Sequence, residues 1–142
     1  MTQQLVLIAE DDADDRFLLQ TAFDENGFND ILYFVDNGYD LLLHLKSLKE
    51  NKSVENFPHF ILLDLNMPKR SGREVLEELK NDDFLNKIPV IVFSTTSNEN
   101  EIQRCMDLGA YSYVTKPVSF EGLLIAIEKI RNSVLVNDNN QH

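Results

Sequence analysis

Five short apolar runs, separated by longer amphipathic stretches, constrain the fold of this chain more than any other feature. The runs are rich in Val, Ile, Leu and aromatic residues, and they are Leu5–Ala9, Ile31–Val35, Phe60–Leu63, Val90–Phe93 and Tyr111–Val114. None alternates cleanly between apolar and polar residues, which is typical of strands covered on both faces. Helical periodicity predicts helices over 13–26, 37–50, 72–81, 98–108 and 119–133. The alternation predicts an α/β protein, in which right-handed crossovers place helices on both faces of a parallel sheet.

The length of the chain fits one domain. Its 142 residues, 43% of them hydrophobic, are enough to enclose a substantial core. We predict that residues 1–134 form the domain and that the mostly polar residues 135–142 form a disordered tail.

Charge and cysteine content restrict the partners and the compartment. Acidic residues outnumber basic ones by 24 to 13, and the resulting net charge of −11 disfavours binding to nucleic acid or to anionic membranes. The apolar runs are too short to span a bilayer, and the N-terminus lacks the pattern of a signal peptide. A single cysteine, Cys105, excludes an internal disulfide and suits the cytoplasm; its helical spacing favours a buried structural thiol. We therefore expect a cytoplasmic protein that acts through other proteins.

Polar and charged residues follow all five runs; after the second, Asp36-Asn37-Gly38 is typical of a turn and a helix cap, which leaves four other ends. In a parallel sheet these carboxyl ends meet at one edge, where the working residues of such folds lie. Clustered carboxylates repel one another unless a cation lies among them, and carboxylate oxygens suit Mg²⁺. We expect Asp64, which ends an apolar run, to be paired with a metal ion and with Lys116. The residues at the four ends are Glu10-Asp11-Asp12, Asp64, Ser94-Thr95-Thr96 and Lys116-Pro117.

Some of these residues have purely structural alternatives. For Glu10 and Asp11 the alternative is capping and solvation of the first helix, which three acids in a row make credible for one of them, and Asp12 is the best candidate for an acid without a role in the site. Ser94 could simply bond to backbone at the end of its strand, with Thr95 or Thr96 as the functional hydroxyl.

Over roughly residues 4–133, this arrangement resembles the receiver domain of bacterial two-component response regulators. The resemblance rests on several motifs that occur in the family's order. An acidic pair follows the first strand, the phosphoacceptor Asp is followed by Met-Pro and then Gly, a hydroxyl residue closes the fourth strand, and Lys-Pro follows the fifth. The matching residues are Glu10 and Asp11, Asp64 with Met67, Pro68 and Gly72, Ser94, and Lys116-Pro117.

The resemblance implies a flavodoxin-like, doubly wound sheet of five strands in the order 2-1-3-4-5. It also implies a phosphoacceptor protein that takes a phosphoryl group onto Asp64 from a sensor histidine kinase or a phosphotransfer protein. Mg²⁺ would be bound by Glu10, Asp11, Asp64 and the backbone carbonyl of Asn66. Such a protein is not an enzyme with a separate substrate, because it catalyses only its own phosphorylation and dephosphorylation.

Further residue roles follow from the same resemblance. Lys116 would pair with the phosphoryl oxygens, Ser94 would hydrogen-bond to one of them, and the peptide bond between Lys116 and Pro117 would be cis. Tyr113 would be the aromatic switch residue, with a structural aromatic as the alternative. Because Tyr111 lies two positions before Tyr113, we expect both to share one face of the strand.

The output surface is expected to consist of the helix over 98–108, the strand over 111–114 and the helix over 119–133. It would signal to a downstream protein whose identity the sequence does not give, and a homodimer is a further option. Phe120, Leu123 and Leu124 are either association residues or core residues. The long loop before the third strand resembles that of stand-alone regulators that partner bacterial phytochromes.

Three rival functions fit less well. Haloacid-dehalogenase-like phosphatases carry a second Asp two residues after the nucleophile, where this chain has Asn66. A nucleotide-binding protein of the same architecture would need a glycine-rich loop after the first strand, where the segment EDDADD would repel phosphates. A degenerate receiver would lack the Asp, the Lys or the acidic pair, and all of these are present.

Overall fold

The computed structural model describes residues 3–52, 54–65 and 71–140. Strands and helices alternate along the whole chain, with two single 3₁₀ turns at Val54–Asn56 and Leu85–Lys87. The strands are β1 (Leu5–Ala9), β2 (Ile31–Val35), β3 (Phe60–Leu63), β4 (Val90–Ser94) and β5 (Ser112–Thr115). The helices are α1 (Ala13–Glu25), α2 (Gly38–Glu50), α3 (Gly72–Lys80), α4 (Glu99–Asp107) and α5 (Phe120–Asn140).

The five strands form one sheet in the order β2-β1-β3-β4-β5, and every neighbouring pair is parallel. The predicted doubly wound sheet and its strand order are therefore confirmed. Apart from the end of the last helix, every predicted boundary agrees with the observed one to within a single residue. In the described part of the chain, no helix has both the length and the apolar character needed to cross a membrane.

Alternate residues of the strands pack into two separate hydrophobic cores, one on each face of the sheet. Leu7 and Ile61 belong to the first core, which α2, α3 and α4 cover. Ile8 and Leu62 belong to the second core, which α1 and α5 cover. This arrangement explains the continuous apolar runs, because both faces of each inner strand are buried. Cys105 is a fully buried member of the first core, as its spacing predicts.

Local capping sets the ends of the helices. Four polar side chains accept hydrogen bonds from backbone amides in the first turns of α1 to α4, and they are Asp12, Asn37, Ser71 and Asn98. Gly27 and Gly109 follow α1 and α4 with φ angles of +81° and +105°, which favour glycine after a helix end. Asp12, which the sequence indicated only as an acid without a role in the site, is thus the cap of α1.

The last helix is longer than the sequence predicts. It continues to Asn140, beyond the predicted end at 133, while residues 141–142 lie outside the described part and the disorder of the tail stays a prediction. The segment after Ser133 contains neither Gly nor Pro, and nothing in it interrupts a helix that packing has already established.

One prediction about the last strand needs correction. Tyr113 packs against the first core, whereas Tyr111 packs against the second. Strand alternation does not relate them because β5 begins only at Ser112. Of the two alternatives for Phe120, Leu123 and Leu124, the structure favours the core, because all three pack into or against the second core.

A buried ion pair joins α5 to the loop before β2. Arg131 Nε lies 2.6 Å from Asp30 Oδ2, and Arg131 Nη2 lies 3.0 Å from Asp30 Oδ1. The two side chains are only 2% and 0% exposed. The Gln4 amide also donates to this carboxylate at 3.0 Å, and the guanidinium lies 4.2 Å from the centre of the Phe28 ring. Each buried charge is therefore satisfied by hydrogen bonds, which makes the pair tolerable in the core.

We predict that Arg131→Met lowers the free energy of unfolding by about 3–5 kcal/mol, because it leaves the Asp30 carboxylate buried without its counter-charge. Lys129→Met is the matched control, since Lys129 lies on the same helix and is exposed. Urea denaturation of both variants measures the difference. Equal stabilities of the two variants would contradict the prediction.

Candidate functional site

One lysine joins the carboxyl ends of three strands. Lys116, just after β5, places its Nζ 3.0 Å from Asp64 Oδ2 and 3.4 Å from Glu10 Oε1. Glu10 follows β1 and Asp64 follows β3, so the contacts join residues 106 and 52 positions away from the lysine. Parallel pairing brings these three sequence-predicted residues together.

Glu10 is held by both its backbone and its side chain. Its amide donates to the Val35 carbonyl at 3.0 Å, and its Oε2 accepts from the Asp12 amide at 3.1 Å. Burial raises the pKa of the Glu10 carboxyl, and the charges of Asp15 and Asp64 add to this, although the Asp12 amide and Lys116 oppose it. A folded-state pKa above the unfolded value means that protonated Glu10 adds stability at low pH, and that this stability is lost as the pH rises through the folded-state pKa. Because burial and like charge disfavour the ionised carboxylate, a nearby cation stabilises that form of Glu10.

Lys116 is fixed at the edge of the sheet. Its backbone amide donates to the Ser94 carbonyl at 2.7 Å, which continues the pairing of β4 with β5. Burial lowers the pKa of the Lys116 ammonium, but hydrogen bonding and the charges of Asp64 and Glu10 outweigh it, and the pKa is raised. No cis peptide bond occurs among the described residues, so the expected cis bond before Pro117 is not present. The trans form is the more stable one for such bonds, by about 0.5–1 kcal/mol.

Asp64 follows β3, which lies in the middle of the sheet. All four residues of β3 are buried, and the Asp64 side chain is 19% exposed. A Cβ atom at Gly72 would lie 2.7 Å from the Leu65 Cα and 2.8 Å from the Asp64 carbonyl oxygen. The first turn of α3 can approach the end of β3 so closely only because residue 72 is glycine. Asn66, Met67 and Pro68 lie outside the described residues.

Ser94 and Tyr113 both contact the loop that joins β4 to α4. Ser94 is fully buried, and its Oγ accepts from the Thr96 amide at 3.3 Å. The Tyr113 hydroxyl donates to the Thr96 carbonyl at 2.7 Å. Burial raises the pKa of the Tyr113 hydroxyl, and the neighbouring Ser94 hydroxyl opposes this rise. Thr95 is exposed, so the two adjacent hydroxyl residues occupy different environments.

Asp11 is exposed beside Glu10, and its side chain is not drawn into the contacts of Lys116. Within residues 3–52, 54–65 and 71–140, no three carboxylate, imidazole or thiol side chains are grouped closely enough to hold a metal ion. The predicted ligands are thus only partly assembled. Glu10 and Asp64 share one cation, which is the lysine ammonium, whereas Asp11 lies outside this contact.

Sequence reasoning missed Arg16. This residue of α1 donates from Nε to the Glu10 carbonyl oxygen at 2.5 Å and from Nη2 to Asp36 Oδ1 at 2.5 Å. Arg16 directly follows the acidic segment EDDADD, six positions after Glu10, and this spacing forms no motif that would reveal the contact. Only the packing of α1 beside β2 brings the guanidinium to this place.

The cavity beside the site is small. It measures about 90 Å³ and is lined by residues that include Glu10, Asp15, Phe93, Lys116 and Pro117. Small-molecule sites usually measure about 300–1,000 Å³, so this cavity is too small for a nucleotide or similar ligand, and Asp64 is not among the residues that line it. The Asp64 carboxylate itself is partly exposed beside the Lys116 ammonium. A carboxylate in such a position can act as a nucleophile towards an incoming group and share the resulting negative charge with the lysine.

Comparison with known proteins agrees with this geometry. The model of the family described as "Response regulator receiver domain" matches residues 6–128. "Probable methanogenesis regulatory protein FilR2" of Methanothrix harundinacea is 33% identical over 127 residues, which cover 89% of this chain and 81% of that protein. Response regulator Rcp1 of Synechocystis is 31% identical over 129 residues, which cover 91% of this chain and 87% of Rcp1.

Solved structures give the same result. The phosphorylated cyanobacterial phytochrome response regulator RcpA has a TM-score of 0.83 and 33% identity, with 94% of this chain and 95% of RcpA covered. The Mn²⁺-bound form of Rcp1 has a TM-score of 0.73 and 32% identity, with 89% of this chain and 91% of Rcp1 covered. The chain therefore belongs to the response regulator receiver domain family, whose members are phosphoacceptor signalling proteins of two-component systems.

Proposed function

We propose that this protein accepts a phosphoryl group on Asp64 from a phosphohistidine of a sensor histidine kinase or a phosphotransfer protein. The observation that carries the proposal is the partly exposed Asp64 carboxylate at the end of β3, in contact with Lys116 Nζ at 3.0 Å. An anionic nucleophile needs a fixed position and a neighbouring positive charge to react with a phosphorylated partner. Asp64 has both.

In the proposed reaction, an oxygen of Asp64 attacks phosphorus and the bond between phosphorus and the histidine nitrogen breaks. The product is an acyl phosphate on Asp64, and the histidine nitrogen keeps the bonding electrons. Lys116 would then exchange its contact with the Asp64 carboxylate for the phosphoryl oxygens. The Ser94 hydroxyl, now bonded to the Thr96 amide, would turn towards one of these oxygens.

The oxygen donors near Asp64 fit a hard divalent cation, and we propose Mg²⁺. Glu10 and Asp64 already direct their oxygens at one positive charge, and Asp11 is exposed next to Glu10. Glu10, Asp11 and Asp64, with the backbone carbonyl of Asn66, would hold the ion. When bound, Mg²⁺ would neutralise the negative charge that collects where Asp64 and the phosphoryl group meet. By this function the chain catalyses only its own phosphorylation and dephosphorylation.

Asp64→Asn is expected to abolish phosphorylation by acetyl phosphate in the presence of Mg²⁺, because the amide cannot act as the nucleophile. Intact-mass spectrometry measures the added phosphoryl group. Asp83→Asn changes an exposed aspartate and serves as the matched control, which should be phosphorylated like the wild type. An Asp64→Asn protein that gains a phosphoryl group at the wild-type rate would refute the assignment.

Mg²⁺ is expected to raise the melting temperature of the wild-type protein, because it binds the folded state and relieves repulsion among the acids. Asp11→Ala should remove this response and raise the metal-free melting temperature, since one like charge is lost. Asp24→Ala, at the far end of α1, is the control and should keep the full response. Equal Mg²⁺-dependent shifts in the Asp11→Ala protein and the wild type would exclude Asp11 as a ligand.

The proposed output surface consists of α4, β5 and α5. The Tyr113 hydroxyl ties β5 to the loop before α4 through the Thr96 carbonyl, and Ser94 bonds to the same loop. Movement of Ser94 towards a phosphoryl group would therefore disturb both contacts, with Tyr113 as the switch residue. A groove of about 410 Å³ lies between β5 and α5, and Ile125 beside it is 56% exposed. This surface suits a downstream protein or a second copy in a homodimer.

Amide exchange with and without acetyl phosphate tests this surface. The largest changes are expected at residues 94–98 and across α4, β5 and α5, because the Thr96 contacts lie between them and Asp64. The Asp64→Asn protein, treated in the same way, should show none of these changes. Changes confined to residues 37–57 would contradict the proposed route.

We further propose that the partner kinase is of the phytochrome class and that the protein acts in the cytoplasm. The similarity to RcpA, a phytochrome response regulator, supports the first point. The acidic composition and the single buried cysteine suit the second. Faster phosphotransfer from phytochrome kinases than from other histidine kinases would support the partner assignment.

A further inference from the structure

We infer that Arg16 is a positioning residue. It holds the backbone of Glu10 and Asp11 in place and thereby sets the affinity of the site for Mg²⁺. This inference rests on the proposed function, because it takes Asp11 as a ligand of the cation. The guanidinium contacts neither Asp64 nor Lys116 among its hydrogen bonds, so it would act only through the backbone that carries Glu10 and Asp11.

Three elements of the fold fix the guanidinium. It projects from the first turns of α1 and donates from Nε to the Glu10 carbonyl at the end of β1. It donates from Nη2 to Asp36, which directly follows β2, and it lies 5.3 Å from the centre of the Phe34 ring. The planar fork of arginine can serve both acceptors at once, whereas lysine has a single ammonium.

A hydrogen bond to the Glu10 carbonyl oxygen directly affects the position of Asp11. It belongs to the same planar peptide unit as the Asp11 amide, so holding the carbonyl also fixes the start of Asp11. On the other side of Glu10, the preceding peptide unit is held by the bond from the Glu10 amide to Val35. Arg16 therefore completes the restraint that sends the Glu10 side chain inward to Lys116 and leaves Asp11 exposed beside it.

The positive charge of Arg16 and its positioning role predict opposite changes in Mg²⁺ affinity when the residue is removed. As a positive charge near the acids, Arg16 by itself opposes the binding of a cation, so its removal would strengthen Mg²⁺ binding. As a positioning residue, it keeps the ligands in place, and its removal would weaken binding. Groups that orient metal ligands typically contribute about 10–100-fold to metal affinity. The sign of the change thus separates the two roles.

The test measures Mg²⁺ affinity in the full chain by competition with Mn²⁺, whose free ion is followed by electron paramagnetic resonance. Arg16→Met and Arg16→Lys are each expected to weaken Mg²⁺ binding by about tenfold or more. Arg104→Met removes an exposed positive charge from α4 and should stay within about twofold of the wild type. Circular dichroism establishes that each variant is folded, and if Arg16→Met does not fold, Arg16→Lys decides alone.

Unchanged or stronger Mg²⁺ binding by a folded Arg16→Met protein would overturn the inference, and so would wild-type affinity in Arg16→Lys. A wild-type protein that binds Mn²⁺ and is phosphorylated, together with unaffected Arg16 variants, would reject this inference alone. A wild-type protein that binds neither ion would reject the proposed function and this inference with it.

Discussion

The parallel pairing of the five strands is the constraint on which the rest of this molecule depends. It sends every carboxyl end to one edge of the sheet, so that Lys116 meets Glu10 and Asp64 across 106 and 52 positions of sequence. Burial of both faces then makes this edge one of the few places where charged groups can emerge beside the core. The direction of the strands therefore determines where the site lies, and the side chains at that place determine its chemistry.

Negative charge exceeds positive charge at this edge of the sheet, and this excess underlies the reactivity proposed for Asp64. Carboxylates from two strand ends share one ammonium, and burial together with like charge raises the pKa of Glu10. Such a site is short of positive charge and gains from a cation, while an arriving phosphoryl group would draw Lys116 away from Asp64. Arg16 adds the second positive group, but it contacts the backbone of the acidic segment and not the carboxylates of Glu10 and Asp64. In the proposed function the two cations would have separate roles: Lys116 would act at the reacting group Asp64, and Arg16 would position the backbone that carries the proposed metal ligands.

Interactions elsewhere in the fold stabilise the protein against the repulsion among the acidic groups at this edge. Two apolar cores enclose the inner strands, and the buried pair of Asp30 and Arg131 joins the start of β2 to α5. This pair lies towards the amino ends of the strands, away from the edge that carries Asp64. In the proposed function, this separation would let the contacts at Ser94, Thr96 and Tyr113 change without loss of the fold.

The sequence by itself determined the elements and the sheet, and it singled out Glu10, Asp64 and Lys116, which the structure brings into contact. Apolar runs and helical periodicity are local properties, and the polar residue after each run marks a strand end whatever surrounds it. It could not determine which face Tyr111 takes, that α5 continues to Asn140, or that Arg16 and Arg131 find partners at Glu10 and Asp30. Those contacts join elements distant in the chain, and their geometry depends on how helices pack on the sheet. Only the tertiary structure decided them, because a lone arginine in a helix has the same sequence signature whether it is solvated, buried or bound to a backbone carbonyl.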